Sequence, residues 1–570
     1  MGLLLYFVNE LLNMTRFFLT GLLLVALAAT ATPAVAQGTV RRHLVYFRDK
    51  AGTPFSVAQP QAFLSARAIA RRTRQGIAVL PRDLPVTPAY LAQIRAVIGK
   101  PQVVYTSRWF NAALVSCDST TLARIAALPS VRTATTLNRS ARVTQPDAPV
   151  NPPAALAART LAGRAFYGSA YAQNQQIGVP GMHDAGYRGE GMQIAVFDAG
   201  FPGANQISAL QPLFLERRLA STRNFVDGGT SVYQRSSHGT NTLSTMAANE
   251  PGFFVGSAPK ATYHLCITED IYSEHPVEEA NWLAAAEYAD STGVDVISSS
   301  LGYTDFDAPS PSYSYADMNG RTAICSRAAT IAARVGMLVV SAAGNEGNRL
   351  WHYISAPADA DSILTVGAVD SLGNHAFFSS FGPTADGRIK PTLSAMGQDA
   401  AVLSASGTPF RGSGTSFACP VLAGMAAAFW QANPTLTAQQ VIATLRSTAS
   451  KATTPDNTLG YGLPNFGRAY NSLHPNTPLD TMAPTPPESL VLYPNPRGTG
   501  ALMLVLPAIL RGMPLDIQVF DMRGAVVARQ QLPASPAAEV ALKLGGLAKG
   551  QYQCEVSSGT ARQTVRFQQQ

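Results

Sequence analysis

Between Ile177 and Ala469, short apolar runs alternate with longer helical stretches, and few folds accommodate that alternation. Strands are expected at Gln193 to Phe197, Thr262 to Ile267, Val294 to Ser298, Met337 to Ser341 and Ile363 to Val369. Helices are expected at Val277 to Ala289, at Thr322 to Ala333 and after Ser416. Apolar strands joined by helical crossovers predict an α/β fold, a parallel sheet flanked by helices, with any site at the carboxyl ends of the strands.

Four stretches within this pattern carry chemistry. Gly412-Ser-Gly-Thr-Ser416-Phe-Ala-Cys-Pro420 sets a serine among small residues that let a backbone come close to a substrate. Pro420, read as lying in the first turn, opens the apolar run Val421 to Trp430, so Ser416 is expected at the N-terminus of a buried helix. A serine hydroxyl is a weak nucleophile and needs a general base, and the base needs a carboxylate to orient it. The strand Met192 to Gly200 ends on Asp198. His238, in Ser-His-Gly-Thr, precedes a helical stretch at Asn241 to Ala248. Val339 to Gly347 is a buried strand that breaks into Asn345 between glycines, where the amide is placed to donate to an oxyanion. Singly these residues are ordinary turn formers, caps and surface groups. Their joint order is what points to nucleophilic catalysis.

Phe-Asp198-Ala-Gly, His238-Gly-Thr, Ala-Gly-Asn345-Glu-Gly and Gly-Thr-Ser416 resemble the signatures of the subtilisin-like serine peptidases, over roughly Ile177 to Ala469. The resemblance implies Ser416 as nucleophile, His238 as base, Asp198 as its orienting carboxylate, and Asn345 with the Ser416 N–H as oxyanion donors. It further implies that Ser298 to Gly302, through Ser300, Leu301 and Gly302, pairs with an extended peptide, and that Ala342, Ala343 and Gly344 wall the pocket for the side chain before the cut bond. No cofactor is expected in catalysis. Many members hold structural calcium, for which Glu269, Asp270, Glu274, Glu278 and Glu279 are candidates, although a solvated loop leading into a helix favours the same residues. Two features depart from the family pattern: Phe417 stands where Met is usual, and Lys390 to Gly397 lacks the usual acidic residue, with Lys390 read as a surface or ion-paired lysine. The competing reading is a catalytically silent homologue that binds at a surface, and the presence of all four signature residues argues against it.

At 570 residues, 46% of them apolar, the chain exceeds one core. Residues 1–36 read as a secretory signal, with Met14-Thr-Arg16, the apolar Phe17 to Ala28 and the cleavage motif Ala34-Val-Ala36; Met14 is an alternative start. Residues 38–150 carry strands at Arg41 to Phe47 and Gln102 to Thr106 and helices at Gln61 to Arg74, Pro88 to Ile98 and Leu122 to Leu128. This small α+β unit resembles a subtilase pro-domain, which assists folding and occupies the cleft as an intramolecular inhibitor until it is cut away. Arg71-Arg72-Thr73-Arg74 reads as a solvated helix face. Pro-rich linkers are expected at Thr144 to Ala158, the place for pro-domain removal, and at 473–488, with the catalytic domain at 160–470 between them.

Residues 489–570 show short alternating strands at Leu515 to Phe520, Ala525 to Val527 and Tyr552 to Val556, which predict a small β-sandwich. Tyr493-Pro-Asn-Pro496, Val519-Phe-Asp521 with Gly524, and Leu547 to Tyr552 resemble the sorting domain of type IX secretion. That resemblance implies a protein secreted from, or held on the surface of, a Gram-negative bacterium, with outer-membrane secretion machinery and protein or peptide substrates as partners. A net charge of +8 with scattered arginines leaves no nucleic-acid footprint. Five cysteines make no disulfide framework; the subtilase fold leaves a Cys266–Cys325 pair open.

Overall fold

Strand Gln193–Asp198 alternates its side chains between two apolar cores, Ile194 and Val196 into one and Ala195 and Phe197 into the other, as the two-residue period of a strand requires. Such a strand must lie inside a sheet covered on both faces. In the computed structural model, which describes residues 39–137, 166–479 and most of 490–569, it is the fifth of seven strands. The order is Leu393–Met396, Leu364–Val369, Leu338–Ala342, Val296–Ser299, Gln193–Asp198, Thr262–Ile267 and Leu219–Asn224, and every neighbouring pair is parallel. From Gln193–Asp198 the chain runs to the far edge, returns through Thr262–Ile267, then crosses to build the other half of the sheet. Asp198 therefore ends the strand at which the winding reverses, where open α/β sheets place their sites.

One core joins the sheet to helices His238–Ala247 and Thr415–Ala432, through Leu243, Met246, Val421, Leu422 and Phe429. The other joins it to Val277–Thr292 and Ile324–Arg334, through Trp282, Leu283, Ala328 and Ala332. The expected strands and helices of this domain are all present, with ends displaced by one to three residues where they differ.

Proline 420 departs from expectation. It is the sixth residue of helix Thr415–Ala432, beyond the first turn. Lacking an N–H, it leaves the Ser416 carbonyl without its helical donor, and the Ser300 hydroxyl donates to that carbonyl at 2.9 Å instead.

The pro-domain is a four-stranded antiparallel sheet, ordered Gln102–Ser107, Ala112–Cys117, Arg41–Phe47 and Val131–Thr136, with helices Ala66–Arg74, Pro88–Arg95 and Ser119–Ala126. Its Leu44, Tyr46, Phe110, Ala112 and Leu114 belong to the same core as helices Val277–Thr292 and Ile324–Arg334. The helix expected from Gln61 begins only at Ala66, where Ser65 caps it by accepting from the Ala68 N–H. Arg71 and Arg72 are not on a solvated face: each is about 1% exposed and ion-paired with Asp290 of the catalytic domain. Helical periodicity shows which residues share a face and says nothing of what another domain lays against it.

The tail forms two antiparallel sheets, Val491–Tyr493, Leu502–Val505 and Glu539–Leu542 in one, and Val526–Leu532, Leu515–Asp521, Gly550–Ser558 and Ala561–Gln569 in the other. Leu502, Leu504 and Leu542 of the first pack with Ile517, Val519, Cys554 and Phe567 of the second, which makes a sandwich. Gly524 closes the hairpin turn at φ 81°. The signal, the linker Thr144 to Ala158 and most of the linker 473–488 lie outside the described residues.

All five cysteines are free and buried, so Cys266 and Cys325 do not pair, and burial pushes the Cys266 thiol up to about 12. Lys390 is not at the surface, and among the described residues it has no ion pair. It is 4% exposed, its Nζ donates to Thr365 Oγ1 at 2.7 Å, and burial, with Arg388 nearby, holds it down at about 7. Among the described residues no helix is long and apolar enough to cross a membrane.

Candidate active site

Asp198 is fully buried, and its two carboxylate oxygens are held by different donors. Oδ1 accepts from His238 Nδ1 at 2.8 Å and from the Ala199 N–H at 2.8 Å, while Oδ2 accepts from Thr242 Oγ1 at 3.0 Å. His238 and Thr242 are four apart on one helix and so share a face, which lets a single element seat both donors on one carboxylate. The helix can come this close because position 239 is glycine: a Cβ there would lie 2.3 Å from the Gly200 carbonyl oxygen and 3.0 Å from Asp198 Cβ.

The His238 side chain is one-third exposed. Burial opposes its charge, yet the Asp198 carboxylate and its hydrogen bond outweigh that effect, so the imidazole is raised above 6.5. The bond to Asp198 commits Nδ1 as donor and leaves Nε2 as the basic nitrogen. The Phe417 ring lies 5.9 Å from the His238 ring, centre to centre, and Phe417 directly follows Ser416. The histidine and serine helices therefore meet at the site.

Ser416 is the second residue of its helix, so its N–H is among those a helix leaves without an internal partner. Its hydroxyl donates to the Ser300 carbonyl at 3.3 Å, and among the described residues no hydrogen bond joins it to His238. Catalytic hydrogen bonds commonly tighten only when substrate is present.

Asn345 is oriented by its neighbours. Its Oδ1 accepts from both the backbone N–H and the hydroxyl of Thr415, at 2.9 and 3.0 Å, so the Nδ2 donor is turned away from them and left available. Thr415 Oγ1 in turn accepts from the Gly344 N–H at 3.2 Å. One buried threonine thus ties the asparagine loop to the residue before the serine.

The segments expected to hold substrate separate. Leu301 is half-buried, Gly302 is exposed, and neither makes a backbone hydrogen bond among the described residues. Ser300 is buried, its hydroxyl committed to Ser416. Ala342 and Ala343 lie in apolar cores, with the Ala343 N–H on Val366 and its carbonyl on Ser355. Of that trio only Gly344, at φ 110°, is partly exposed. Thr242 and Thr415 were not singled out from sequence. The spacing of four from His238 and the adjacency to Ser416 are the signals that point to them.

Three of the acidic residues after Thr268 are bound by the chain's own donors. Glu278 accepts from the Asp270 and His275 N–H groups, Glu279 from the Tyr313 hydroxyl and the Cys325 N–H, and Glu269 from the Tyr303 and Thr268 hydroxyls. Burial pushes Glu269 up to about 7 and Glu274 to about 8, and raises Glu278 and Glu279 as well. Among the described residues no group of three or more His, Cys, Asp or Glu side chains is arranged to hold a metal. No step below uses a metal ion.

A helix-covered parallel sheet with Asp198, His238, Asn345 and Ser416 gathered at its switch point defines an α/β class of protein. The comparisons narrow it. The Subtilase family model matches residues 189–462, the Peptidase S8 propeptide domain of Bacteroidota matches 42–152, and a secretion system C-terminal sorting domain matches 491–568. Subtilisin of Bacillus pumilus is 32% identical over 280 residues, which cover 48% of this chain and 90% of that protein. Subtilisin NAT of Bacillus subtilis subsp. natto and subtilisin E of Bacillus subtilis are each 32% identical over 279 residues, and the chain spans 65% of their lengths. A solved structure of MycP1 with its N-terminal propeptide removed covers 52% of this chain and 96% of its own at 21% identity, with a TM-score of 0.42. The chain belongs to the subtilase family. With its Bacteroidota propeptide and sorting tail, it is a secreted or cell-surface protein of a Gram-negative Bacteroidota.

Proposed function

We propose that the protein is a serine endopeptidase in which Ser416 attacks the peptide carbonyl, His238 is the base and Asp198 its orienting carboxylate. The observation that carries this is the His238 Nδ1–Asp198 Oδ1 bond of 2.8 Å, on a fully buried carboxylate whose remaining oxygen is held by Thr242. Nε2 takes the Ser416 proton as the Oγ–carbonyl bond forms, then passes it to the leaving amine as the C–N bond breaks. Water then repeats the sequence on the acyl-enzyme, returning the proton to Ser416. The oxyanion of each tetrahedral intermediate is met by Asn345 Nδ2 and the Ser416 N–H. Losing one such donor costs about 10² to 10³ in kcat, a magnitude taken over from subtilisin itself and not worked from this geometry.

Leu301 and Gly302, whose backbone groups have no hydrogen-bond partner among the described residues, support substrate binding by strand addition. Recognition through main-chain groups suits a peptidase acting on many sequences. The pro-domain as inhibitor, protein or peptide substrates, and the outer-membrane machinery that reads the tail belong to the same reading.

The test compares purified protein with Ser416→Ala on casein, with and without a serine-directed covalent inhibitor. Cleavage by the wild type, abolished by either change, is expected. A folded wild type freed of its pro-domain and as inert as the variant would favour the silent, surface-binding homologue.

A further inference from the structure

Ser355 is 3% exposed, and among the described residues its hydroxyl oxygen has no hydrogen-bond partner. A buried hydroxyl in that state has lost its hydration and gained nothing in return, which is uncommon in a folded chain. Its surroundings supply the reason. A Cβ on Gly302 would lie 2.2 Å from Ser355 Oγ, and a Cβ on Gly344 would lie 2.9 Å from the same atom. One carbon–carbon bond of about 1.5 Å separates those positions from the glycine backbones, so the hydroxyl stands within about 4.5 Å of both Cα atoms. Ser355 therefore lies between the two segments expected to hold substrate.

The backbone fixes it there. The Ser355 N–H donates to the Ala343 carbonyl at 3.2 Å, which ties it to the segment of Gly344. The next residue, Ala356, exchanges two hydrogen bonds with Tyr303, of 2.8 and 3.2 Å, which ties it to the segment of Gly302. Leu301 and Tyr303 pack into the core of helices Val277–Thr292 and Ile324–Arg334. Gly302, between them, turns the side where a Cβ would stand to Ser355, as the alternation of an extended chain requires.

Both walls are also tied to the reacting groups. Ser300, two residues before Gly302, donates its hydroxyl to the Ser416 carbonyl at 2.9 Å, and the Ser416 hydroxyl donates to the Ser300 carbonyl at 3.3 Å. Gly344 directly precedes Asn345. A substrate carbonyl held between Ser416 and Asn345 would send the side chain before the cut bond between Gly302 and Gly344, toward Ser355. Both walls are bare backbone there. The one other hydroxyl close to this gap is that of Ser380, 2.8 Å from where a Gly344 Cβ would stand, and it already accepts from the Glu346 N–H at 3.0 Å.

We propose that Ser355 determines which side chain is accepted before the cut bond, and that it selects an uncharged one carrying an amide or a hydroxyl. The inference rests on the peptidase reading and names its substrate class. A hydroxyl both donates and accepts, so it serves the amide of Asn or Gln and the hydroxyl of Thr or Tyr alike. A charged side chain would be buried against Gly302, Gly344, Ser355 and Ser380, none of which carries a charge to pair with it. An apolar side chain of equal shape leaves the Ser355 hydroxyl unmet, and a site built to hydrogen-bond its substrate rejects the analogue that lacks the bonding group.

The experiment expresses the full chain, wild type and Ser355→Ala, and follows steady-state hydrolysis by the processed protein of peptides identical except for the residue before the cut bond. That residue is varied in pairs matched in shape: Thr and Val, Asn and Leu, Gln and Met, Tyr and Phe. Wild type should favour the polar member by about tenfold or more in kcat/KM in at least one pair, the one whose polar atom reaches Ser355 Oγ. In Ser355→Ala the ratio for that pair should fall by about fivefold or more. Because Oγ has no partner to lose, the variant should keep the thermal midpoint of wild type, which a merely structural role for the hydroxyl would lower. Preference for the apolar member in every pair, or a ratio that Ser355→Ala leaves unchanged, overturns the assignment, and the wild-type comparison decides it even where the variant does not fold. Failure to cleave casein or any of the peptides would instead overturn the peptidase reading itself, and this inference with it.

Discussion

Thr415→Val removes the hydroxyl that orients Asn345 and keeps the shape of the side chain. Thr415 is 1% exposed, so no water takes its place without rearrangement. Two bonds are lost: the 3.0 Å donation to Asn345 Oδ1 and the 3.2 Å acceptance from the Gly344 N–H. The first is worth about 1 kcal/mol, and leaving the Gly344 amide unmet costs about 1–3 kcal/mol more, so the fold should lose roughly 2–4 kcal/mol. Asn345 keeps its 2.9 Å bond from the Thr415 N–H, so the amide is loosened, not released. A loosening of about 1.4 kcal/mol is about tenfold in rate, below the ceiling of about 10² to 10³ for removing the donor outright. Because the donor acts on charge that develops only in the transition state, kcat should fall about tenfold with KM nearly unchanged. The assay is steady-state hydrolysis of a chromogenic peptide by wild type, Thr415→Val, Asn345→Ala and the double variant. In the Asn345→Ala background the threonine change should cost less than about threefold, because the group it positions is already gone. An equal cost in both backgrounds would refute the claim that Thr415 acts through Asn345.

Three further outcomes follow from the same geometry. His238 must be neutral to accept the serine proton, so kcat/KM should fall as pH drops through a value above 6.5; Asp198→Asn removes the main influence that raises it, leaves burial to lower it against Glu269 alone, and should shift that limb to lower pH while kcat falls by about 10⁴. Gly239→Ala sets a methyl 2.3 Å from the Gly200 carbonyl oxygen and should displace the histidine helix, lowering kcat at least a hundredfold with secondary structure by circular dichroism retained. With all five thiols free and buried, the native protein should resist a thiol-modifying reagent, and a reductant should leave its thermal midpoint unchanged.

What could be read in the residues, and what could not, divides along a physical line. The sheet was legible because a strand buried on both faces has to be a short continuous apolar run, as Ile194 to Phe197 is. Asp198, His238, Asn345 and Ser416 stood out because each sits in a local motif at an element's end. Thr242 and Thr415 stayed silent, because a threonine's role depends on which acceptor the fold brings to it. The pairing of Ser300 Oγ with the carbonyl freed by Pro420 joins residues 116 apart and has no local signature. Arg71, Arg72 and Lys390 were misread for one shared reason: burial of a long cationic side chain is decided by a distant surface, here Asp290 for the arginines and Thr365 for the lysine.

The most direct measurement of the central claim treats the folded, pro-domain-free enzyme with a phosphonylating reagent and locates the adduct by mass spectrometry. A single adduct on Ser416, lost in His238→Ala and formed in step with loss of activity, is the predicted result. Full activity with Ser416 unmodified, or inactivation by an adduct on another residue, would contradict it.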